Sequence, residues 1–231
     1  MKTIANKLTR QKQMSEALIV GLFLAFSGGF QDAYTYILRG HVFANAQTGN
    51  IVLMSTYIMQ NEKYKALKYF VPLLAFAVGV FIAEQIGSHF KHSKKLHWRQ
   101  IIVAIEVVIL FFVGFIPFKY DIVANSLVSL TCAMQVQAFR KVSGNAYATT
   151  MCIGNLRSGM AALSGFTRTK DKKLLEKSGY YFIVIFIFAI GAGIGGNIGP
   201  KLGTHAIWVS CLVLMVAFLL MCLEIKEDML D

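Results

Sequence analysis

The stretch GGFQDAYTYILRGHVFANAQTGNIVLM, residues 28–54, decides how this chain is organised. It begins in a hydrophobic run, contains Asp32, breaks into glycine, histidine, asparagine and threonine, and becomes apolar again without a long soluble loop. A carboxylate at membrane depth is costly unless it is paired, hydrated or protonated. The first question is therefore whether the surrounding runs cross a membrane.

The composition is typical of a polytopic membrane protein. The chain has 231 residues, of which 56% are hydrophobic and 15% are charged, and its mean hydropathy is +0.57. This length predicts a single membrane domain over residues 1–231, with the lipid bilayer as its partner. The net charge of +11 lies mostly in short loops between apolar runs, so it indicates membrane topology and not nucleic-acid binding.

Eight hydrophobic segments predict an all-α bundle of membrane helices. Two weaker, polar-rich segments lie at about 42–59 and 146–165. Six strong segments approach the roughly 20 apolar residues that span a bilayer, and they lie at about 17–38, 68–90, 100–118, 121–139, 179–200 and 204–223.

The two halves of the chain are similar to each other. A shift of 112 residues places FAVGVFIAEQIG (76–87) on FAIGAGIGGNIG (188–199), with six of twelve positions identical. We therefore predict two internal repeats, at about 17–118 and 121–223. The alternative is independent use of small residues in membrane helices.

A second match has nearly the same spacing. A shift of 105 residues places the Gly-Asn pair at 49–50 on the pair at 154–155, and Asp32 on Gln137. Both Gly-Asn pairs belong to the weaker, polar-rich segments.

Basic loops predict the topology, because Lys and Arg are enriched on the cytoplasmic side. The N-terminus, KHSKKLHWR (91–99) and the loop at 167–177 are all basic. All three face the cytoplasm if each weak segment enters the membrane and returns to the same side. The protein then has six full spans, and the loop NEKYKALK (61–68) lies outside. Three spans per repeat then make an inverted repeat, a common transporter architecture. The alternative is eight spans, with both weak segments crossing.

Small residues recur every four positions in the third helix of each repeat. This spacing places them on one helix face, where two backbones can approach closely. The functional alternative is that these two helices cross and shape a central cavity. The predicted packing residues are Ala75, Gly79, Ala83, Gly87, Gly191, Gly195 and Gly199.

The polar residues of the weak segments predict a site at two broken helices. Glycine permits a break in the backbone, and asparagine or threonine can cap the helix that restarts. A helix N-terminus at membrane depth offers N–H groups to an anion, which Arg157 would also favour. Asp32 would bind substrate or carry a coupling proton. The candidate residues are Asp32, Gln47, Thr48, Gly49, Asn50, Glu84, Gln137, Gly154, Asn155 and Arg157.

Structural interpretations remain open for the same residues. The Gly-Asn motifs could be folding devices without a ligand, and Asp32 could anchor the polar segment that follows it. Glu106, alone in its run, is interpreted as a structural anchor. The motifs H-E-x-x-H, G-x-S-x-G, Walker A and C-x-x-C are absent, so we expect no enzyme activity, cofactor or metal. The alternative of a membrane enzyme that acts on lipid or quinone would need a nucleophile, a metal or an acid–base pair.

The sequence resembles the YoaK-like family of uncharacterised bacterial integral membrane proteins. The specific features are the G-F-x-D-A segment at 29–33 and the T-G-N element at 48–50. The second repeat departs from the family pattern, with Ile-Gly-Asn at 153–155, which weakens any role for a hydroxyl group there. The resemblance implies a bacterial plasma-membrane location and implies no substrate.

These features together predict a secondary transporter of a small solute, multi-pass in the plasma membrane, with its N-terminus in the cytoplasm. Proton coupling would run through Asp32. A homo-oligomer is compatible with this interpretation. The alternatives are a channel-like pore with the same walls and an accessory membrane protein that transports nothing.

Overall fold

The computed structural model describes residues 18–90, 97–142, 145–146 and 149–227. The basic residues before 18, and most of those at 91–99, which were used to predict orientation, lie outside these ranges. The described residues form eight α-helices: α1 (Leu18–Ala33), α2 (Gln47–Met59), α3 (Lys63–Phe90), α4 (Trp98–Val113), α5 (Asp121–Ala138), α6 (Cys152–Thr169), α7 (Lys172–Leu202) and α8 (Trp208–Glu227).

Short elements extend or join these helices. A π-helical segment, Tyr34–Leu38, continues α1, and 3₁₀ turns at Phe118–Tyr120 and Gly203–Ile207 precede α5 and α8. Between α5 and α6, strand β1 (Lys141–Val142) pairs antiparallel with β2 (Asn145–Ala146).

The prediction of an all-helical bundle is confirmed, since each of the eight hydrophobic segments contains one helix. The start of α2 differs from the hydropathy boundary at 42. Gly40 (φ 81°) and His41 (φ 64°) adopt left-handed backbone conformations and end the helix that begins with α1. Glycine reaches this region without steric cost, so the chain turns back here and re-forms a helix only at Gln47.

Within the described ranges, two helical stretches have the length and apolar composition needed to cross a membrane. Lys63–Phe90 has a mean hydropathy of 2.0, and Lys172–Cys222, which contains α7 and most of α8, has 2.4. Only 28% and 39% of their most apolar windows are buried inside the protein. Since a soluble protein rarely exposes such large apolar surfaces, these surfaces suit contact with lipid.

Helices α1 and α7 pack side by side and run in the same direction. Gly191 of α7 lies so close to the carbonyl oxygen of Phe26 that an added Cβ would be 2.1 Å from it. Further along both helices, Gly199 lies against Leu38. Residue numbers increase together along this contact, so the two helices are parallel.

Helices α3 and α5 make a second parallel pair. Gly79 lies against the carbonyl oxygen of Leu130, and beyond it Glu84 pairs with Arg140, just after α5, at 2.9 Å. The suggestion that α3 and α7 cross each other is therefore wrong. Each packs instead along the first helix of the other half of the chain.

Helices α1 and α5 run in opposite directions. Arg39, at the end of the first helix, pairs with Asp121 at the start of α5, at 3.1 Å. Near the other end of both helices, the Gln135 side chain lies 3.4 Å from the carbonyl oxygen of Leu24.

Helices α4 and α8 form an antiparallel pair. Trp208 Nε1 donates to the carbonyl oxygen of Phe111 at 3.0 Å, and Gln100 Nε2 donates to that of Met221 at 2.9 Å. Together with α1 and α5, this pair encloses the apolar core, in which Leu24, Ile102, Leu110, Val128 and Leu214 are fully buried.

Helices α2 and α6 lie outside this core. Helix α2 packs on α3, where the Tyr57 ring stacks on Tyr69 with centroids 5.9 Å apart. Helix α6 packs on α7, where Ser178 Oγ donates to the carbonyl oxygen of Gly159 at 2.9 Å.

Candidate binding site at the entries to α2 and α6

Asp32 ties the loop before α2 to α1. Its Oδ1 accepts the backbone N–H of Asn45 at 2.8 Å, and the Asn45 side-chain amide donates to the carbonyl oxygen of Gly28 at 3.2 Å. Asp32 is 8% exposed and Asn45 is 6% exposed. The segment before α2 therefore lies beside the middle of the helix that α1 and its π-helical continuation form.

The predicted Q-T-G-N motif closes this loop on itself. Asn50 is fully buried; its Oδ1 accepts the N–H of Phe43 at 3.1 Å, and its Nδ2 donates to the Phe43 carbonyl oxygen at 2.7 Å. The same amide donates to Gln47 Oε1 at 2.9 Å, and Gln47 Nε2 donates to the carbonyl oxygen of Ala44 at 2.7 Å. These contacts support the structural interpretation of Asn50 and Gln47.

The expectation that asparagine or threonine caps α2 is wrong. The N-cap residue is Ala46, and no side chain caps it. Because the helix already begins at Gln47, Thr48 and Asn50 lie within its first turn, where Thr48 is exposed and Gly49 rests on the Phe43 ring.

The second motif lies at the start of α6 and is more open. Gly154 faces open space, and the backbone N–H of the buried Asn155 donates to the carbonyl oxygen of Met151 at 3.2 Å. Arg157 is exposed on this helix and does not pair with Asp32. The attraction of an anionic group by Arg157 stays a prediction.

The residues before α6 reach the same part of α1 as the loop before α2. The Thr150 methyl group lies against Gly28, where an added Cβ would be within 2.3 Å of it. Thr149 Oγ1 lies 3.1 Å from the Gln135 side-chain amide. Since Asn45 binds the carbonyl oxygen of Gly28, the entries to α2 and α6 meet at this glycine.

Two buried oxygen atoms at this meeting point have no hydrogen-bond partner, Asn45 Oδ1 and Thr150 Oγ1. Both residues are 6% exposed. Buried polar atoms are nearly always satisfied, so these two oxygens call for a partner, which a water molecule or a polar ligand group could supply. With the Asp32 carboxyl group, they make the site rich in acceptors, which suits a ligand that carries N–H or O–H donors.

Gln137 and Glu84 lie away from Asp32. Gln137 Nε2 donates to Glu84 Oε1, and Arg140 donates both to Gln137 Oε1 at 3.2 Å and to Glu84 Oε1 at 2.9 Å. This group is exposed at the ends of α3 and α5. The shift of 105 residues aligned Asp32 with Gln137 in the sequence, but their side chains do not lie in one site.

A second polar cluster, which we call the core cluster, lies between α1, α4, α5 and α8. Gln31 Nε2 lies 2.9 Å from Ser27 Oγ, 3.0 Å from Glu106 Oε1 and 3.2 Å from Ser210 Oγ. The two serine hydroxyls are 2.5 Å apart. All four side chains are fully buried.

Helix α5 contributes the remaining members of the core cluster. Cys132 Sγ donates to Gln31 Oε1 at 2.8 Å, and one end of the Gln135 amide lies 3.2 Å from Glu106 Oε1. An offset of 104 residues relates Gln31 to Gln135 and Glu106 to Ser210. The cluster thus combines side chains from both halves of the chain.

Sequence reasoning missed the core cluster as a functional candidate. Glu106 was visible as an ionisable residue within an apolar run, which is by default a functional candidate. Gln31 directly precedes Asp32. Aligning the two halves of the sequence with a shift of 104 residues instead of 105 would have matched Gln31 with Gln135.

The donor sets of both clusters do not resemble a metal centre. Among residues that the structure describes, no group of three or more His, Cys, Asp or Glu side chains could hold a metal ion. Cys132 and Cys211 are buried thiols in helix contacts.

An all-helical bundle with apolar outer surfaces and polar clusters inside has the character of a membrane protein. The chain belongs to the family described as "Protein of unknown function (DUF1275)", whose sequence model matches residues 20–220. It is 24% identical over 212 residues to the "UPF0700 transmembrane protein YoaK" of Bacillus subtilis (strain 168), covering 88% of this chain and 92% of that protein. The resemblance to YoaK-like proteins is thereby confirmed. No solved structure matches the chain at a significant level.

Proposed function

We propose that this protein is a secondary transporter of a small solute in the bacterial plasma membrane, with its binding site at the entries to α2 and α6. The observation that carries the proposal is the convergence at Gly28 of Asp32 and two unpartnered buried oxygens, those of Asn45 and Thr150. The acceptor-rich chemistry favours a solute with hydrogen-bond donors, moved together with a proton. The proposal includes no enzymatic step.

The length and position of α2 support a segment that enters the membrane and returns. Its 13 residues make a helix of about 20 Å, shorter than the hydrocarbon core of about 30 Å. The loop before α2 lies beside the middle of the first helix. Helix α2 therefore returns the chain to the side of the membrane where the first helix ends. Irregular backbone at membrane depth is tolerated where it is buried in protein or lines a wet cavity.

The packing pattern supports two inverted repeats, over about 17–118 and 121–223. Helix α1 packs on α7 as α5 packs on α3, and α2 packs on α3 as α6 packs on α7. Helices α1 and α5, the first of each half, run in opposite directions. Inverted repeats with broken helices at their interface are a recurrent transporter design, because the two halves can rock around a central site.

Flux through proteoliposomes tests the proposal. A panel of small solutes would be added under an imposed pH gradient, and proton movement would be followed with an internal pH-sensitive dye. We expect saturable, solute-dependent proton movement with the wild-type protein and none with Asp32→Asn. The asparagine Oδ1 can still accept the Asn45 N–H, so the unfolding temperature should stay close to that of the wild type.

Glu62→Gln is the matched control, because this carboxylate pairs with Lys65 on the surface and its loss should leave flux unchanged. Flux that does not saturate would favour the channel-like alternative. Coupled uptake retained by Asp32→Asn would remove Asp32 from the mechanism. Absence of flux across the whole panel, with folded protein, would favour the accessory role.

A further inference from the structure

Glu106 is an acid without a counter-charge in the centre of the bundle. It is fully buried, and among the described residues no lysine, arginine or histidine side chain pairs with it. The titratable groups around it are Cys132 on α5, Cys211 on α8 and, beyond Cys132, Asp32 on α1. None of these groups is cationic, so an ionised Glu106 would have only neutral dipoles to compensate its charge.

The neighbours of Glu106 can accommodate both of its protonation states. One end of the Gln135 amide lies 3.2 Å from Glu106 Oε1 and 3.3 Å from Oε2, and the other end lies 3.1 Å from Thr149 Oγ1. A half-turn of this amide exchanges its oxygen and nitrogen without moving the helices. Because the amide has an acceptor end and a donor end, each orientation suits one protonation state of the acid.

When Glu106 is protonated, its O–H donates to Gln135 Oε1, and the Gln135 Nε2 group donates to Thr149 Oγ1 and the carbonyl oxygen of Leu24. When Glu106 is ionised, Nε2 turns to donate to the carboxylate, Oε1 accepts the hydroxyl proton of Thr149, and the bond to the Leu24 carbonyl oxygen is lost. The hydroxyl of Thr149 thus accepts in one state and donates in the other.

We propose that Glu106 is the exchangeable proton-binding residue of this protein and that the Gln135 amide transmits its protonation state to Thr149, at the entry to α6. The inference rests on the proposed transport function, because the released proton is the one that moves with the solute. Protonation forms one O–H bond on Glu106 with a proton taken from water or the solute, and ionisation returns that proton. Gln135 and Thr149 are positioning residues, since they lose no proton themselves.

Infrared spectroscopy of the purified protein in lipid nanodiscs tests the proton site without any solute. A protonated carboxylic acid has a C=O stretch distinct from the carboxylate bands. We expect such a band in the wild-type protein that disappears as pH rises. It should be absent in Glu106→Gln, shifted in Glu106→Asp and retained in Asp32→Asn.

Hydrogen–deuterium exchange of the segment at 149–156 tests the link to α6. Glu106→Gln mimics the protonated acid, since its amide can donate to Gln135 Oε1. The protection of this segment from exchange in the wild type should therefore equal that in Glu106→Gln at low pH. At high pH the two proteins should differ. Thr149→Val should abolish this pH-dependent difference, whereas the matched neighbour Thr150→Val, which keeps the methyl contact with Gly28, should retain it.

The results separate this inference from the proposed function. A band lost only in Asp32→Asn, or a band that never titrates, would overturn the role of Glu106 even if flux is observed. Equal behaviour of the two threonine variants would overturn the link through Gln135. A titrating band that requires Glu106, in a protein that moves no solute, would support the proton site and remove the transport proposal.

Discussion

Arg39 is fully buried where the end of the first helix meets α4 and α5. Its guanidinium group donates to Asp121 Oδ1 at 3.1 Å, to the hydroxyl of Tyr34 at 2.7 and 2.9 Å, and to the carbonyl oxygens of Val113 at 3.3 Å and Ile116 at 2.8 Å. A planar group with five N–H donors can satisfy such a scattered set of acceptors, which lysine could not. Arg39 thus joins three helices at one end of the bundle.

Replacing Arg39 with methionine should lower the free energy of unfolding by about 3 kcal/mol, because Asp121, the Tyr34 hydroxyl and two backbone carbonyl oxygens lose their donor together. The matched control is Arg140→Met, whose pairing with Glu84 is exposed and should contribute about 0–1 kcal/mol. Unfolding in detergent, followed by circular dichroism, measures both. Similar losses for the two variants would show that burial of Arg39 does not strengthen its contacts.

At the scale of helices, glycine decides how closely α1 and α7 approach. An added Cβ at Gly29 would lie 2.0 Å from the carbonyl oxygen of Phe188, and one at Gly191 would lie 2.1 Å from that of Phe26. Backbone atoms cannot turn aside as a flexible side chain can, so the helices would have to separate. Gly193, two positions beyond Gly191 on the same helix turn, has no atom within 4 Å of such a Cβ.

Gly191→Ala should therefore destabilise the protein by about 1–3 kcal/mol through overpacking. Gly193→Ala should be neutral or slightly stabilising, because alanine is the better helix former. The unfolding temperatures of the two variants in detergent provide the comparison. If both alanines were tolerated equally, the close approach of α7 to Phe26 would be incorrect.

The sequence predicted which face of each helix packs closely, but it did not predict which helix that face meets. Spacing of four residues places Gly191, Gly195 and Gly199 on one side of α7, as helical geometry requires. Nothing local in the sequence indicates that this side meets α1, about 160 residues away in the chain. The same limit applies to Gly79, which lies against Leu130 of the other half.

At the scale of the whole molecule, the two ends of the bundle are distinct. The segment after α2 lies at the end where Lys68 and Asp121 approach Gly40. The loop between α6 and α7 lies at the opposite end, where the first helix begins. If α2 and α6 both enter and return, these two loops lie on opposite sides of the membrane.

Cysteine labelling tests this topology in a variant that lacks the four native cysteines. Tyr64 is 91% exposed, and Lys170 ends α6 in an exposed turn. A membrane-impermeant thiol reagent should label Tyr64→Cys in intact cells and Lys170→Cys only after permeabilisation. Labelling of Tyr64→Cys only after permeabilisation would mean that α2 crosses the membrane, which would give the eight-span arrangement.

The sequence by itself determined the membrane class, the approximate positions of eight helices and the family. These properties follow from hydropathy and residue type within short windows, which the chain carries locally. The tertiary structure alone decided that Thr150 meets Gly28 and that Arg157 stays exposed. It also decided that Gln31 binds Glu106 and Ser27 contacts Ser210, across 75 and 183 residues of chain. Such contacts depend on which helix faces pack together, and that choice is made by shape complementarity over the whole bundle.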